Sequence, residues 1–275
     1  MCRWLAYSGA PLPLEELILK PEHSLIDQSI AARLGENTLN GDGFGLGWYG
    51  KPETPGVYKG TQPAWNDSNL KDLCAHIASP LFFAHIRATT GTAVQQSNCH
   101  PFRHGKWLFQ HNGLIRNFQR VKRDLALQVR PDLFAEIGGT TDSELMFFLA
   151  RSFGLEDDPV EGMARMVGCV EKACADHGIE NGLQMSVGLS DGERLFAFRY
   201  STEGASRSLF HSTSIDALKE INSELEKYSS DTHVVVSEPL SSMTEAWKEV
   251  PESTVILVRH GEVEARPFVP TAPDG

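Results

Sequence analysis

Short apolar runs with strand-like composition, several of them closed by tight-turn signals, constrain this chain more than any other feature. Cys2–Tyr7, Gly43–Tyr49, Pro80–Arg87 and Lys106–His111 read as strands toward the start. Leu183–Leu189 and Arg194–Tyr200 flank Asp191-Gly192, a strong hairpin signal. His233–Ser237 is a further strand, and Thr254–Arg259 with Glu262–Phe268 form a closing hairpin around His260-Gly261. Glycine alternates with Phe44, Leu46 and Trp48, which predicts a strand whose backbone is closely approached. Helical spacing appears at Phe118, Val121 and Leu125, with a stop at Pro131. Thr141-Asp142-Ser143-Glu144 has the form of a capping box opening a helix. Val160, Met163, Val167, Val170 and Cys174 line one face of another helix, with Gly178 beyond its end. Ile215, Leu218 and Leu225 suggest one more. Strands thus sit in blocks at both ends with helices grouped between them. That order favours an α+β fold with antiparallel sheets over a parallel βαβ design.

The chain has 275 residues, 41% of them hydrophobic, enough to bury a substantial core. One domain spanning 1–275 is expected, because no repeat, low-complexity tract or long Pro/Gly/Ser linker divides it; Pro267–Gly275 reads as a loose surface end. A net charge of −11 without a basic stripe argues against a nucleic-acid partner. Five cysteines (Cys2, Cys74, Cys99, Cys169 and Cys174) in no framework-like pattern suit a reducing compartment. With neither a secretory pattern nor a membrane-length apolar run, the expected location is the cytoplasm, with no membrane partner.

Cys2 follows the initiator methionine. Removal of Met1 would give one residue both a thiol and a free α-amine. That amine titrates near neutral pH and can act as the base for the thiol. Three further motifs make sense beside it. Arg87 ends a strand in Ala84-His85-Ile86-Arg87-Ala88-Thr89-Thr90-Gly91. Asn112-Gly113 ends another in Gln110-His111-Asn112-Gly113, and Asp142 opens a helix. A γ-glutamyl amide needs a forked guanidinium for its α-carboxylate, which Arg87 offers. It needs a carboxylate for its α-ammonium, for which Asp142 is the candidate. Its tetrahedral intermediate needs two donors, a role for the Asn112 side chain with the Gly113 N–H. Taken singly, each has a plainer reading: a surface arginine, a tight Asn-Gly turn, a helix-dipole anion. Cys99, His100, His104 and His111 have ligand-type side chains, but their spacings match no familiar closed zinc pattern.

Together these segments resemble the class II glutamine amidotransferases, which are N-terminal-nucleophile hydrolases. The resemblance rests on Met1-Cys2, His85-x-Arg87-x-x-Thr90, Asn98-Cys99-His100-Pro101, His111-Asn112-Gly113 and Thr141-Asp142-Ser143-Glu144, in family order over residues 2 to about 150. Ser237-Glu238-Pro239-Leu240, Trp247 and Val250-Pro251-Glu252 resemble the stand-alone branch that includes the γ-glutamyl hydrolase of ergothioneine synthesis. Ala88 stands where many members carry an aromatic, and Asn40-Gly41 stands in place of Arg-Gly.

The resemblance implies a four-layer αββα fold of two antiparallel sheets between helices. It implies cleavage of a small γ-glutamyl substrate through a Cys2 thioester, with Thr90 as a supporting hydroxyl and no cofactor or metal. An ammonia-donating subunit serving a separate synthase, or a non-catalytic glutamine or γ-glutamyl sensor, are the alternatives. Residues 155–230 carry no recognised motif.

Overall fold

A computed structural model of the protein describes residues 2–34, 38–89, 91–214 and 231–272. Among the described residues, two antiparallel sheets are sandwiched between helices, in agreement with the expected four layers. One sheet contains β1 (Arg3–Pro13), β2 (Phe44–Trp48), β3 (Gly56–Gly60), β4 (Ala78–Ile86), β9 (Phe210–Ser212), β10 (His233–Val236) and β11 (Trp247–Glu249). Its order is β11-β9-β10-β1-β4-β2-β3, so β1 is central, between β10 and β4. The other contains β5 (Phe102–His104), β6 (Trp107–Ile115), β7 (Leu183–Ser190), β8 (Leu195–Ser201), β12 (Thr254–Arg259) and β13 (Glu262–Pro267), in the order β13-β12-β8-β7-β6-β5.

Strand alternation explains the layering. Trp4, Ala6, Leu81, Phe83 and Val235 face inward and meet Leu108, Leu195, Ala197, Ile256 and Val258 of the second sheet. Their neighbours Leu5, Tyr7, Phe82 and Ala84 face outward, onto α1 (Glu15–Ile18), α2 (Leu25–Ala31) and α3 (Ser68–His76). On the far side, Phe109, Val187, Phe196 and Phe198 pack under α4 (Phe118–Ala126), α6 (Asp142–Ser152) and α7 (Pro159–Asp176). Each such side chain contributes about 1.5–3 kcal/mol on burial. Residues Ser143 to Ala150 of α6 are all buried, since other elements cover the helix on every side.

The structure departs from the sequence reading in several places. Helices α1–α3 and strands β3, β9 and β11 were not foreseen; the helices are short and the strands weakly patterned. β6 runs on to Ile115, so Asn112-Gly113 lies within a strand paired to Ser186 and Met185 and makes no turn. Pro131 opens a short helix, α5 (Pro131–Phe134), rather than closing one. The capping box is half made: Thr141 Oγ1 accepts the Glu144 N–H, but Glu144 turns to the N–H groups of Gly138 and Gly139. The C-terminal stretch expected to be loose is docked as far as Thr271. Phe268 is buried, edge-on to Phe198 and Tyr200, and the Thr271 N–H donates to Ala164 O of α7 at 3.2 Å. The helix expected around Ile215–Leu225 lies outside the described residues. No helix among the described residues is long and apolar enough to cross a membrane.

Candidate active site

The start of β1 places Cys2 at the edge of a cavity of about 720 Å³, within the size range of small-molecule sites. Cys2, Arg87, Gly113, Asp142, His100, His111 and Arg207 all line it. Two backbone groups of Ala88 hold the thiol: the Ala88 N–H donates to Sγ at 3.4 Å, and Sγ–H reaches Ala88 O at 3.5 Å. Burial pushes the Cys2 thiol up, against the pull of the Ala88 N–H and the charges of Arg87 and Arg3. A thiol held protonated in this way needs a base at the moment of attack.

Arg87 follows the last residue of β4 and is almost fully buried. Its guanidinium donates to Thr92 Oγ1 at 2.6 Å and, at 3.3 Å, to Thr89 Oγ1 and Asp42 O. These are neutral oxygens, and no carboxylate pairs with Arg87 among the described residues. A buried cation without a counter-charge on the wall of a cavity suits an anionic ligand. Asp42 fixes this loop, because its Oδ2 accepts the Thr89 N–H at 2.8 Å.

Asp142, the first residue of α6, is anchored by the Ile115 and Ser143 N–H groups, both at 2.8 Å. Ser143 Oγ lies 3.2 Å from Asp142 Oδ1 and 2.8 Å from His111 Nδ1, joining helix and strand at the cavity floor. Gly113 has no room for a side chain: a Cβ would lie 2.0 Å from Gln184 O and 2.5 Å from His111 Nε2. Asn112 is buried but does not line the cavity. Alternation puts its side chain on the same face of β6 as Gln110, whose Nε2 donates to Leu5 O of β1 at 3.0 Å. Thr90 lies outside the described residues.

Under this floor three histidines are packed together. His85 stacks on His100 with centroids 4.1 Å apart, and His85 Nε2 lies 3.2 Å from His111 O. Burial lowers all three, taking His85 down to about 3, so all are neutral at pH 7. The His100-Pro101 segment presses on β2, where a Cβ at Gly45 would meet His100 O at 2.1 Å; this is the close approach that the glycine alternation predicted. Cys99 Sγ turns away toward Gly60 O, and His104 packs edge-on to Phe148. Among the described residues no three His, Cys, Asp or Glu side chains converge as a metal site.

A family model described as class-II glutamine amidotransferases matches residues 21–273. The chain belongs to the class-II glutamine amidotransferases. The matched stretch contains Arg87, Asn112, Gly113 and Asp142 and begins downstream of Cys2. Among curated relatives, the "Probable glutamine amidotransferase DUG3" of Saccharomyces cerevisiae is 30% identical over 98% of this chain and 85% of its own length. The gamma-glutamyl-hercynylcysteine sulfoxide hydrolase of Mycolicibacterium smegmatis is 27% identical over 98% of this chain and all of its own. A glutamine aminotransferase class-II domain protein from Silicibacter pomeroyi superposes with a TM-score of 0.76 at 29% identity, covering 98% of this chain and 100% of that one. The glutamine phosphoribosylpyrophosphate amidotransferase of B. subtilis shares the fold at 13% identity, with a TM-score of 0.63 over 98% of this chain and half of that one.

Two parts of the site were missed by sequence reasoning. Glu238 is buried and accepts from Arg3 Nε and Arg33 N at 2.8 Å and Leu34 N at 2.9 Å, and lies 2.6 Å from His23 Nε2. Arg3 in turn donates to Cys2 O at 2.9 Å and to Leu34 O, so this network sets the start of β1. Its signal was present in Ser237-Glu238-Pro239-Leu240, but without a role. Arg207 had no signal, sitting between two serines in a stretch without motifs.

Proposed function

We propose that the protein is a γ-glutamyl amidohydrolase that works through a thioester on Cys2. With Met1 removed, the Cys2 α-amine takes the thiol proton and the thiolate attacks the γ-carbonyl. The Gly113 N–H stabilises the oxyanion together with the Asn112 side chain, which is buried behind the cavity lining and must turn toward Cys2 to donate. The protonated amine gives its proton to the departing nitrogen. Water then attacks the thioester, so one γ-glutamyl amide and one water give glutamate and a free amine. Arg87 holds the α-carboxylate and Asp142 the α-ammonium, with Thr90 as a supporting hydroxyl. The observation that carries this reading is the placement of a thiol, a buried guanidinium without a counter-charge, and an anchored carboxylate on one cavity wall. The names of the S. cerevisiae relative, a probable glutamine amidotransferase, and the M. smegmatis relative, a gamma-glutamyl-hercynylcysteine sulfoxide hydrolase, support action on a γ-glutamyl group.

The test is intact-protein mass spectrometry after incubation with a glutamine-mimicking diazo-ketone. The expected result is loss of Met1 together with a single adduct mapped to Cys2. A processed chain that binds glutamine and stays unmodified would make the cavity a sensor and remove the catalytic reading.

A further inference from the structure

Arg207 lies in the connection between β8 and β9, and both of its neighbours are fastened. Ser206 N donates to Glu252 Oε2 at 3.1 Å, and its hydroxyl donates to the same oxygen at 2.6 Å while accepting from Arg199 Nε at 3.0 Å. Ser208 Oγ donates to Ser237 O at 2.8 Å, and Ser237 N donates in turn to Trp4 O at 3.0 Å. The backbone that presents Arg207 is therefore tied to both sheets, beside the start of β1. Its side chain enters the wall of the Cys2 cavity. There its Nε is buried without a hydrogen-bond partner, and no carboxylate pairs with it among the described residues. Two other arginines on the same wall are occupied: Arg116 Nε donates to Asn181 O at 3.2 Å and Arg120 Nη2 to His177 O at 2.8 Å.

Sheet order sets the direction. Arg87 follows β4 on one side of β1, whereas Ser237, to which the Arg207 loop is tied, follows β10 on the other. Cys2 precedes β1, between the two. A γ-glutamyl group held by Arg87 and Asp142 with its carbonyl at Cys2 would leave the Arg207 part of the same cavity to the departing amine. Glutamine releases ammonia, which gives a second guanidinium nothing to hold. A γ-glutamyl amino acid or peptide carries a carboxylate on the leaving amine, and that group matches an unpaired guanidinium fork.

Resting on the γ-glutamyl amidohydrolase reading, we infer that Arg207 is a specificity residue that binds a carboxylate on the departing amine, so that the preferred substrates are γ-glutamyl amino acids or peptides. The reaction remains hydrolysis: the amide bond breaks, water supplies the new acid oxygen, and the amine leaves with its carboxylate intact.

The experiment compares kcat/KM for γ-glutamylglycine and its neutral counterpart γ-glutamylglycinamide, in the wild type, Arg207→Ala and Arg207→Lys. Both substrates share the glutamyl end, and their ratio within one preparation cancels differences in the amount of folded enzyme. A charge-assisted contact predicts about a 10- to 100-fold preference for γ-glutamylglycine in the wild type. The ratio should collapse toward one in Arg207→Ala and be kept in part by Arg207→Lys. A wild-type ratio near one, or a ratio unchanged in Arg207→Ala, overturns the role of Arg207 while the hydrolase reading stands. Cleavage of neither substrate nor glutamine, with no acylation of Cys2, overturns both.

Discussion

The two strands that flank β1 end in opposite ways. After β4 come Arg87 and Ala88. The guanidinium of one touches only neutral oxygens, and the backbone of the other cradles the Cys2 thiol. After β10 comes Glu238, whose carboxylate is surrounded by Arg3, His23 and two backbone N–H groups. One end keeps unused bonding capacity turned to a cavity; the other spends all of it within the protein. The first leaves a cation open to the cavity, and the second holds the start of β1 in place. Substitutions on the two sides should therefore register in different measurements. The largest effect belongs to the residue between them. Cys2→Ala should lower the rate of γ-glutamyl hydrolysis by about 10⁴-fold, while a ligand still binds on the Arg87 side. Retention of a tenth of the activity would remove Cys2 from the chemistry.

Next in size is the β10 side. Burial pushes the Glu238 carboxyl up, but the bonds from His23 and Arg33 N and the charge of Arg3 bring it below the usual range. Glu238→Ala removes the buried acceptor shared by Arg3 Nε, His23 Nε2 and the Arg33 and Leu34 N–H groups, which costs about 3 kcal/mol of stability by chemical denaturation. A loss under about 1 kcal/mol would mean that the Glu238 network does not set β1. On the β4 side, Arg87→Ala should lower kcat/KM by about 100-fold, reducing kcat as well as raising KM, because remote binding orients the reacting carbonyl. Its stability should change little, since it has no ion pair to lose. If the two variants showed the same balance of stability and activity loss, the contrast between the two strand ends would be gone.

The same contrast explains what the sequence made legible. Residues with a chemical role carry it in their type and spacing, so motifs alone point to Arg87, Gly113 and Asp142, which line one cavity, and to Asn112, which is buried outside its lining. The layering was readable because alternation at Trp4 to Tyr7 and at Leu81 to Ala84 assigns each side chain to one face. Positioning residues are harder to find. Glu238 acts on Arg3, 235 positions away, a pairing that exists only once β10 lies beside β1. Arg207 is harder still, since its meaning comes from Glu252 and Ser237 fastening its neighbours. The docked tail was hidden for a related reason. Phe268 is one aromatic in a proline-rich run, and only Phe198 and Tyr200 show that it has a place to go.

Acid should take the two sides apart in order, and this is the smallest effect per step. His85 of β4, His111 of β6 and His100 of the loop before β5 pack together with values lowered by burial, whereas in the unfolded chain they titrate near 6.5. Below about pH 6.5 the unfolded state therefore binds protons that the folded state does not. Stability falls with decreasing pH, by up to about 1.4 kcal/mol per pH unit for each histidine that stays neutral in the folded state. Glu238 is lowered from the usual carboxylate value, so its contribution is complete above about pH 4.3 and is lost as pH falls through its folded value. Stability measured by denaturant between pH 6 and 5 should thus report the histidines in its slope. Glu238→Gln should lower the whole curve by a constant amount there and change its slope only below about pH 4.3. His100 isolates the effect, because both of its ring nitrogens are buried without partners among the described residues and its ring is held by stacking. His100→Phe keeps that packing and removes the titrating group. The slope between pH 6 and 5 should then fall by about 1.4 kcal/mol per pH unit. An unchanged slope would mean that His100 is protonated inside the folded protein, and the wall of the cavity would then carry a positive charge that this arrangement of neutral rings does not contain.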